Sequence, residues 1–198
     1  MFAAHRQLGM TLAEVLVTLA IVLILIGVMS GVGVYLKKQS EIRLVESTLE
    51  VLETALGQYY SDYGAYVPPV TSKQEFETAV CGSEGTVTFL QGEHLQGEAE
   101  KAAWSSEALY YFLNRSPAAA AIVSSLMERM ISSKDASGKP LVVKIECPPS
   151  EPVSTDLVRF VDVWGMPIGY MLVENQLPVL ISAGPDKKFD TADDIIHR

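Results

Sequence analysis

Two places in this sequence gather ionisable groups in a pattern that calls for a chemical reason. Glu14 is a lone carboxylate at the head of an apolar run, residues 15–36, that carries no charge. An acid at the edge of such a run is costly to bury unless a cation meets it, which makes it a functional candidate. Near the other end of the chain, Asp186, Asp190, Asp193 and Asp194 crowd the loop 182–195 behind Gly184-Pro185. Hard oxygen ligands at that density suit Ca²⁺, which takes about six to eight oxygens from carboxylates and carbonyls. The spacing is not that of an EF-hand. The same residues also read as a solvated acidic turn in which Asp193 or Asp194 caps a short helix.

Elsewhere reactive groups are sparse. There is no HExxH, no G-x-S-x-G and no phosphate-binding glycine loop, and His5, His94 and His197 are scattered. No enzymatic activity is expected. Cys81 and Cys147 belong to no CxxC or Cys/His cluster, so a zinc site has no support. Two arrangements stay open for them, a disulfide in an oxidising compartment or two separate buried thiols.

These groups must be positioned by few elements, because 198 residues suffice for one compact domain plus an anchoring helix. The 15 Lys and Arg against 24 Asp and Glu, with no basic stripe, argue against nucleic-acid binding. As a helix, residues 15–36 reach roughly 33 Å, enough for a hydrocarbon layer of about 30 Å, and a helix satisfies its own backbone hydrogen bonds in lipid. A cleaved secretory signal expects a shorter apolar core and then a loop. Here the run continues as helix. Ile42, Val45, Leu49, Leu52, Leu56, Tyr59 and Tyr63 recur at alternating spacings of three and four, while Glu41, Arg43, Glu46, Glu50, Glu53 and Gln58 lie opposite. Gly64 and Pro68-Pro69 end it. A coiled coil competes, but matched flanking charges are missing, so the stripe is expected to pack on the protein's own sheet. The joined helix, residues 11–60, would be about 75 Å long. Gly27, Ser30, Gly31 and Gly33 within it allow close helix approach or cheap local melting.

Residues 70–97 show no long period and are expected to be loop with short strand pieces. An amphipathic run from Ser105 and a second from Pro117 predict two helices, the latter with Ser116 as cap and Pro117 at its first position. Strand-like runs follow at 141–147, 157–164, 169–174 and 177–182, and Asn175-Gln176 makes the last two a hairpin. Trp164 and Tyr170 read as core aromatics on strands, with Gly165 to Pro167 the bend between them. The fold class is α+β: a long N-terminal helix, half transmembrane and half amphipathic, packed on a small antiparallel sheet of three or four strands.

The residues GMTLAEVL, 9–16, resemble the processing motif of type IV prepilins and of the pseudopilins of type II secretion. The resemblance implies that prepilin peptidase cuts after Gly9, that Met10 becomes the N-methylated new terminus, and that Glu14 is the glutamate at the fifth mature position. Phe is commonest in the family where Met10 stands. A cationic amine at Met10 of one subunit and the carboxylate of Glu14 on its neighbour would neutralise each other in an assembled bundle. The segment D-x-W-G-x-P-x-x-Y, 162–170, is similar to one in the major pseudopilins, where it is structural. Residues 182–195 are similar to their C-terminal calcium loop, which is typically longer and richer in glycine. That likeness makes Asp186 and Asp193 or Asp194 the first ligands for Ca²⁺, with Asp190 after them.

The implied organisation is a leader 1–9, a transmembrane and polymerisation helix 10–36, its amphipathic continuation 37–64, and a globular domain 65–198 with the acidic loop. The implied function is that of a structural subunit of a type II secretion pseudopilus or a type IV pilus-like filament. Its partners would be itself, other pilin-like subunits, prepilin peptidase, an inner-membrane assembly platform and lipid. It would sit in the inner membrane as a single pass with its N-terminus cytoplasmic and its globular part periplasmic. Lys37 and Lys38 balance Arg6 and the starting amine, so the positive-inside rule does not choose that orientation, which follows from the resemblance. The rival is a membrane-anchored binding module that never polymerises.

Overall fold

The first helix, α1 (Leu12–Tyr63), begins where the Thr11 carbonyl accepts from the N–H groups of Glu14 and Val15, at 3.1 and 3.2 Å. It stops at Gly64, whose φ of 71° suits a residue without Cβ and whose N–H closes on the Tyr60 carbonyl at 2.8 Å. This is a computed structural model that describes residues 11–173 and 177–198, with side chains left aside at 28–32 and 34. The leader, the Gly9-Met10 bond and the Asn175-Gln176 turn lie outside the described residues. The chain divides into two compact units, the first described over residues 11–41 and the second Ile42–Arg198.

In the second unit the stripe expected of α1 is buried. Val45, Leu49, Leu52 and Leu56 are enclosed while Arg43, Glu46, Glu50 and Glu53 face solvent. Tyr63 departs from the stripe. It is exposed, stacks on Tyr59 with ring centroids 4.6 Å apart, and donates its hydroxyl to the Arg115 carbonyl at 3.1 Å. The last turn has run past the core, and the phenol finds a carbonyl instead of an apolar slot.

Residues 70–97, expected as loop with strand pieces, hold a helix, α2 (Lys73–Cys81), and one strand, β1 (Thr86–Gln91). Ser72 caps α2, its Oγ accepting from the Glu75 N–H at 3.3 Å, and the Glu75 carboxylate reaches back to the Thr71 N–H at 2.6 Å. The next helix, α3 (Glu98–Leu113), starts well before Ser105 and is buried continuously from Ala102 to Leu109. Its successor α4 (Pro117–Val123) has Ser116 as cap, accepting from the Ala119 N–H at 3.1 Å. It ends sooner than the alanine-rich run suggests, because the Ser124 and Ser125 hydroxyls turn back onto the carbonyls of Ala121 and Ile122 at 2.7 and 2.6 Å.

Three small antiparallel sheets replace the single one expected. The strands are β2 (Ile131–Ser132), β3 (Val142–Glu146), β4 (Val153–Asp156), β5 (Arg159–Phe160), β6 (Gly169–Met171), β7 (Val179–Ser182) and β8 (Ile195–His197). Their orders are β1-β3-β4, β2-β5 and β6-β7-β8. Of the run 157–164 only Arg159–Phe160 is strand, since Asp162 begins a turn. β6 and β7 pair as the hairpin predicts, Tyr170 opposite Leu180, and β8 adds to β7 with Ser182 opposite Ile195. Leu49, Leu52 and Leu56 share one core with Trp104, Leu109, Phe160 and Tyr170. Trp164 stands half-buried on the turn, so only Tyr170 of the expected aromatic pair is a fully buried strand residue. Cys81 and Cys147 are joined in a disulfide that ties the end of α2 to the chain leaving β3.

Candidate functional site

Thr11-Leu12-Ala13-Glu14 has the spacing of a capping box. The Thr11 hydroxyl accepts from the Glu14 N–H at 3.3 Å, and Glu14 lies in the first turn, where the helix dipole favours an anion. Among the described residues its carboxylate has no hydrogen-bond or ion-pair partner. The apolar side chains that follow it are exposed all around the helix, Leu16 at 61%, Leu23 at 68% and Ile24 at 66%. Thr18 returns its hydroxyl to the Val15 carbonyl at 2.9 Å, so its polarity is satisfied within the helix. An apolar surface of this breadth with one bare acid at its head needs lipid or other helices to cover it.

The aspartates at the other end are brought into one loop but do not converge. Asp193 accepts the Asp186 N–H at 3.2 Å, Asp186 accepts the Lys188 N–H at 2.9 Å and Asp194 accepts the Asp190 N–H at 2.9 Å. The Thr191 hydroxyl beside Asp193, helped by the Asp186 N–H, holds the Asp193 carboxyl below the usual carboxylate range. Among the described residues no three His, Cys, Asp or Glu side chains form a group able to hold a metal ion. Asp186, Asp190, Asp193 and Asp194 are therefore not gathered as a donor set for Ca²⁺ in this arrangement, and Asp193 and Asp194 instead accept N–H groups and the Thr191 hydroxyl of their own loop.

Sequence reasoning missed the buried charges. Glu107 of α3 is enclosed, with one carboxylate oxygen 3.2 Å from an Arg159 guanidinium nitrogen and the other 3.1 Å from His94 Nε2. Arg159 also donates to the Lys134 carbonyl at 2.7 Å, and the His94 ring stacks on Trp104 with centroids 4.0 Å apart. Burial pushes the Glu107 carboxyl up, against the pull of His94 and Arg159. Glu107 and Arg159 are 52 residues apart, and each fits its local pattern as an ordinary polar residue, so nothing nearby marked the pair. His94 lines a surface cleft of about 770 Å³ with Gln91, Gln96, Asp135, Ser137 and Lys139. The Ser137 hydroxyl, followed by backbone N–H groups, holds the Asp135 carboxyl down at about 2. With its carboxylate sealed from solvent, Glu107 braces α3 against β5.

Asp162, part of the 162–170 motif, also works structurally. Its buried carboxylate accepts the N–H groups of Trp164 at 3.0 Å and Met166 at 2.9 Å and the Ser182 hydroxyl at 2.7 Å, around a bend where Gly165 has φ 85°. Burial pushes the Asp162 carboxyl up.

An N-terminal helix with an uncovered apolar surface, followed in sequence by an α+β domain, is a pilin-like architecture. Residues 4–30 match the prokaryotic N-terminal methylation motif. The chain thus carries the N-terminal signature of a type IV pilin-like, prepilin-processed protein, and that motif implies cleavage by prepilin peptidase and assembly with other pilin subunits. No curated protein and no solved structure matches the chain. Among the described residues no helix is long and apolar enough to cross a membrane. Anchoring in a membrane accordingly rests on the motif and on the uncharged run 15–36.

Proposed function

We propose that the chain is a structural subunit of a type II secretion pseudopilus or a related type IV pilus-like filament, held in the inner membrane until it polymerises through α1. The observation that carries this reading is Glu14, without a partner among the described residues, at the head of an exposed apolar helix directly behind a processing motif. Within a bundle of such helices a bare carboxylate is costly, and the terminal amine freed at Met10 on a neighbouring subunit is the cation that offsets the cost. The likeness of residues 162–170 and 182–195 to the major pseudopilins supports the secretion pseudopilus over an adhesive pilus. The Cys81–Cys147 disulfide supports an oxidising, extracytoplasmic setting for the globular part.

Replacing Glu14 tests the reading. A charge-assisted hydrogen bond contributes roughly 1.5–3 kcal/mol, so Glu14→Ala is expected to lower the yield of filament or cross-linked multimer about tenfold or more. The variant should remain in the membrane fraction and still be processed. Multimers at the wild-type level would instead favour a membrane-anchored binding module that uses the helix only as a tether.

A further inference from the structure

We propose that the C-terminal loop of this protein is latched by Asp162 and Ser182 and closes without a cation. The inference goes beyond the filament reading and does not depend on it. Asp162 follows β5 and Ser182 ends β7, and both are buried. The Ser182 hydroxyl donates to one Asp162 oxygen at 2.7 Å and accepts the Gly184 N–H at 3.2 Å. The other Asp162 oxygen holds the N–H groups of Trp164 and Met166. A single enclosed carboxylate thereby joins the bend after β5, the end of β7 and the first residue of the loop.

The loop then closes through main chain. Gly184 has φ 68°, and a Cβ there would lie 2.1 Å from the Asp193 carbonyl oxygen, so the returning limb rests directly on the glycine backbone. Asp186 and Asp190 donate their N–H groups across to Asp193 and Asp194. Beyond them β8 zips onto β7 from Ile195 to His197, and His197 Nε2 meets the Glu53 carboxylate at 2.7 Å. Asp193 and Asp194 each already serve an N–H group and the Thr191 hydroxyl of their own loop, and among the described residues no three carboxylates gather at one point. Joining the limbs of the loop, a task a cation could perform, is therefore done by the chain.

The test uses the full chain in detergent micelles. Thermal melts in EDTA and in millimolar Ca²⁺ are expected to coincide, and Ser182→Ala is expected to lower Tm by roughly 3–10 °C equally in both. Hydrogen exchange at the amides of Gly184, Asp190 and Ile196 in the wild-type protein gives a readout that needs no variant, with protection expected to be the same in EDTA and in Ca²⁺. A rise in Tm with Ca²⁺ that Asp193→Asn abolishes, loss of amide protection in EDTA, or a Ser182→Ala protein that melts like wild type would each overturn the proposal.

Discussion

Glu107 illustrates how a single residue can matter without touching anything outside the fold. Its two oxygens are divided between Arg159 and His94, and deleting the carboxylate leaves the buried Arg159 guanidinium without its counter-ion. Glu107→Ala is accordingly expected to cost about 3–5 kcal/mol, read as a lower urea midpoint with an unchanged slope. The pH dependence has a definite sign. Burial raises the folded carboxyl above its ordinary value of 4.5, so this group's stabilisation is full below that value and is lost as pH climbs through the raised one. Glu107→Gln should remove that part of the slope. None of this was legible locally, because Glu107 occupies an ordinary polar position in the run EALYYFLN. Glu14 was legible, because a carboxylate at the head of an uncharged run has no inconspicuous explanation. Its place three residues after Thr11, whose hydroxyl takes the Glu14 N–H, was equally available in the sequence.

Elements announced themselves where their pattern contrasts with their surroundings. The stripe from Val45 to Tyr59, the Ser116-Pro117 start of α4 and the β6–β7 hairpin follow from spacing and cap chemistry alone. Contrast fails inside α3, where Ala102, Ala103, Ser105 and Ser106 make a helix small enough to be covered on every side, so no polar face marks its period. It fails again at β4, exposed throughout, and at β8, both short and fixed by the partner strand more than by their own residues. α2 was missed although Ser72 and Glu75 signalled it. The disulfide belongs to this scale, since Cys81 at the end of α2 and Cys147 after β3 close a loop of 66 residues. Replacing both with serine is expected to remove about 4 kcal/mol, measured by chemical denaturation. Reductant should destabilise the wild-type protein by a similar amount and leave the double variant unmoved.

At the scale of the whole molecule, the two units answer to different solvents. In the second, Ile42–Arg198, apolar side chains of helix and sheet enclose one another around Trp104, Phe160 and Tyr170. In the first, the described apolar residues from Val15 to Ile26 are exposed, and Glu14 has no cation among the described residues. That difference was readable from charge alone, because the run 15–36 has none and the remainder of the chain carries the acidic excess. Three small sheets in place of one were not readable, because each forms from strands too short to show a period of two. Processing at Gly9 is the step that would turn the first unit from an anchor into a polymerisation element, by giving Glu14 a neighbour's amine to meet. The most direct measurement is the mass of the mature N-terminus of the protein taken from its native membrane. A chain that begins at Met10 and carries a methyl group on its amine is the predicted result, whereas one still starting at Met1, or cut downstream of Leu36, would contradict the account.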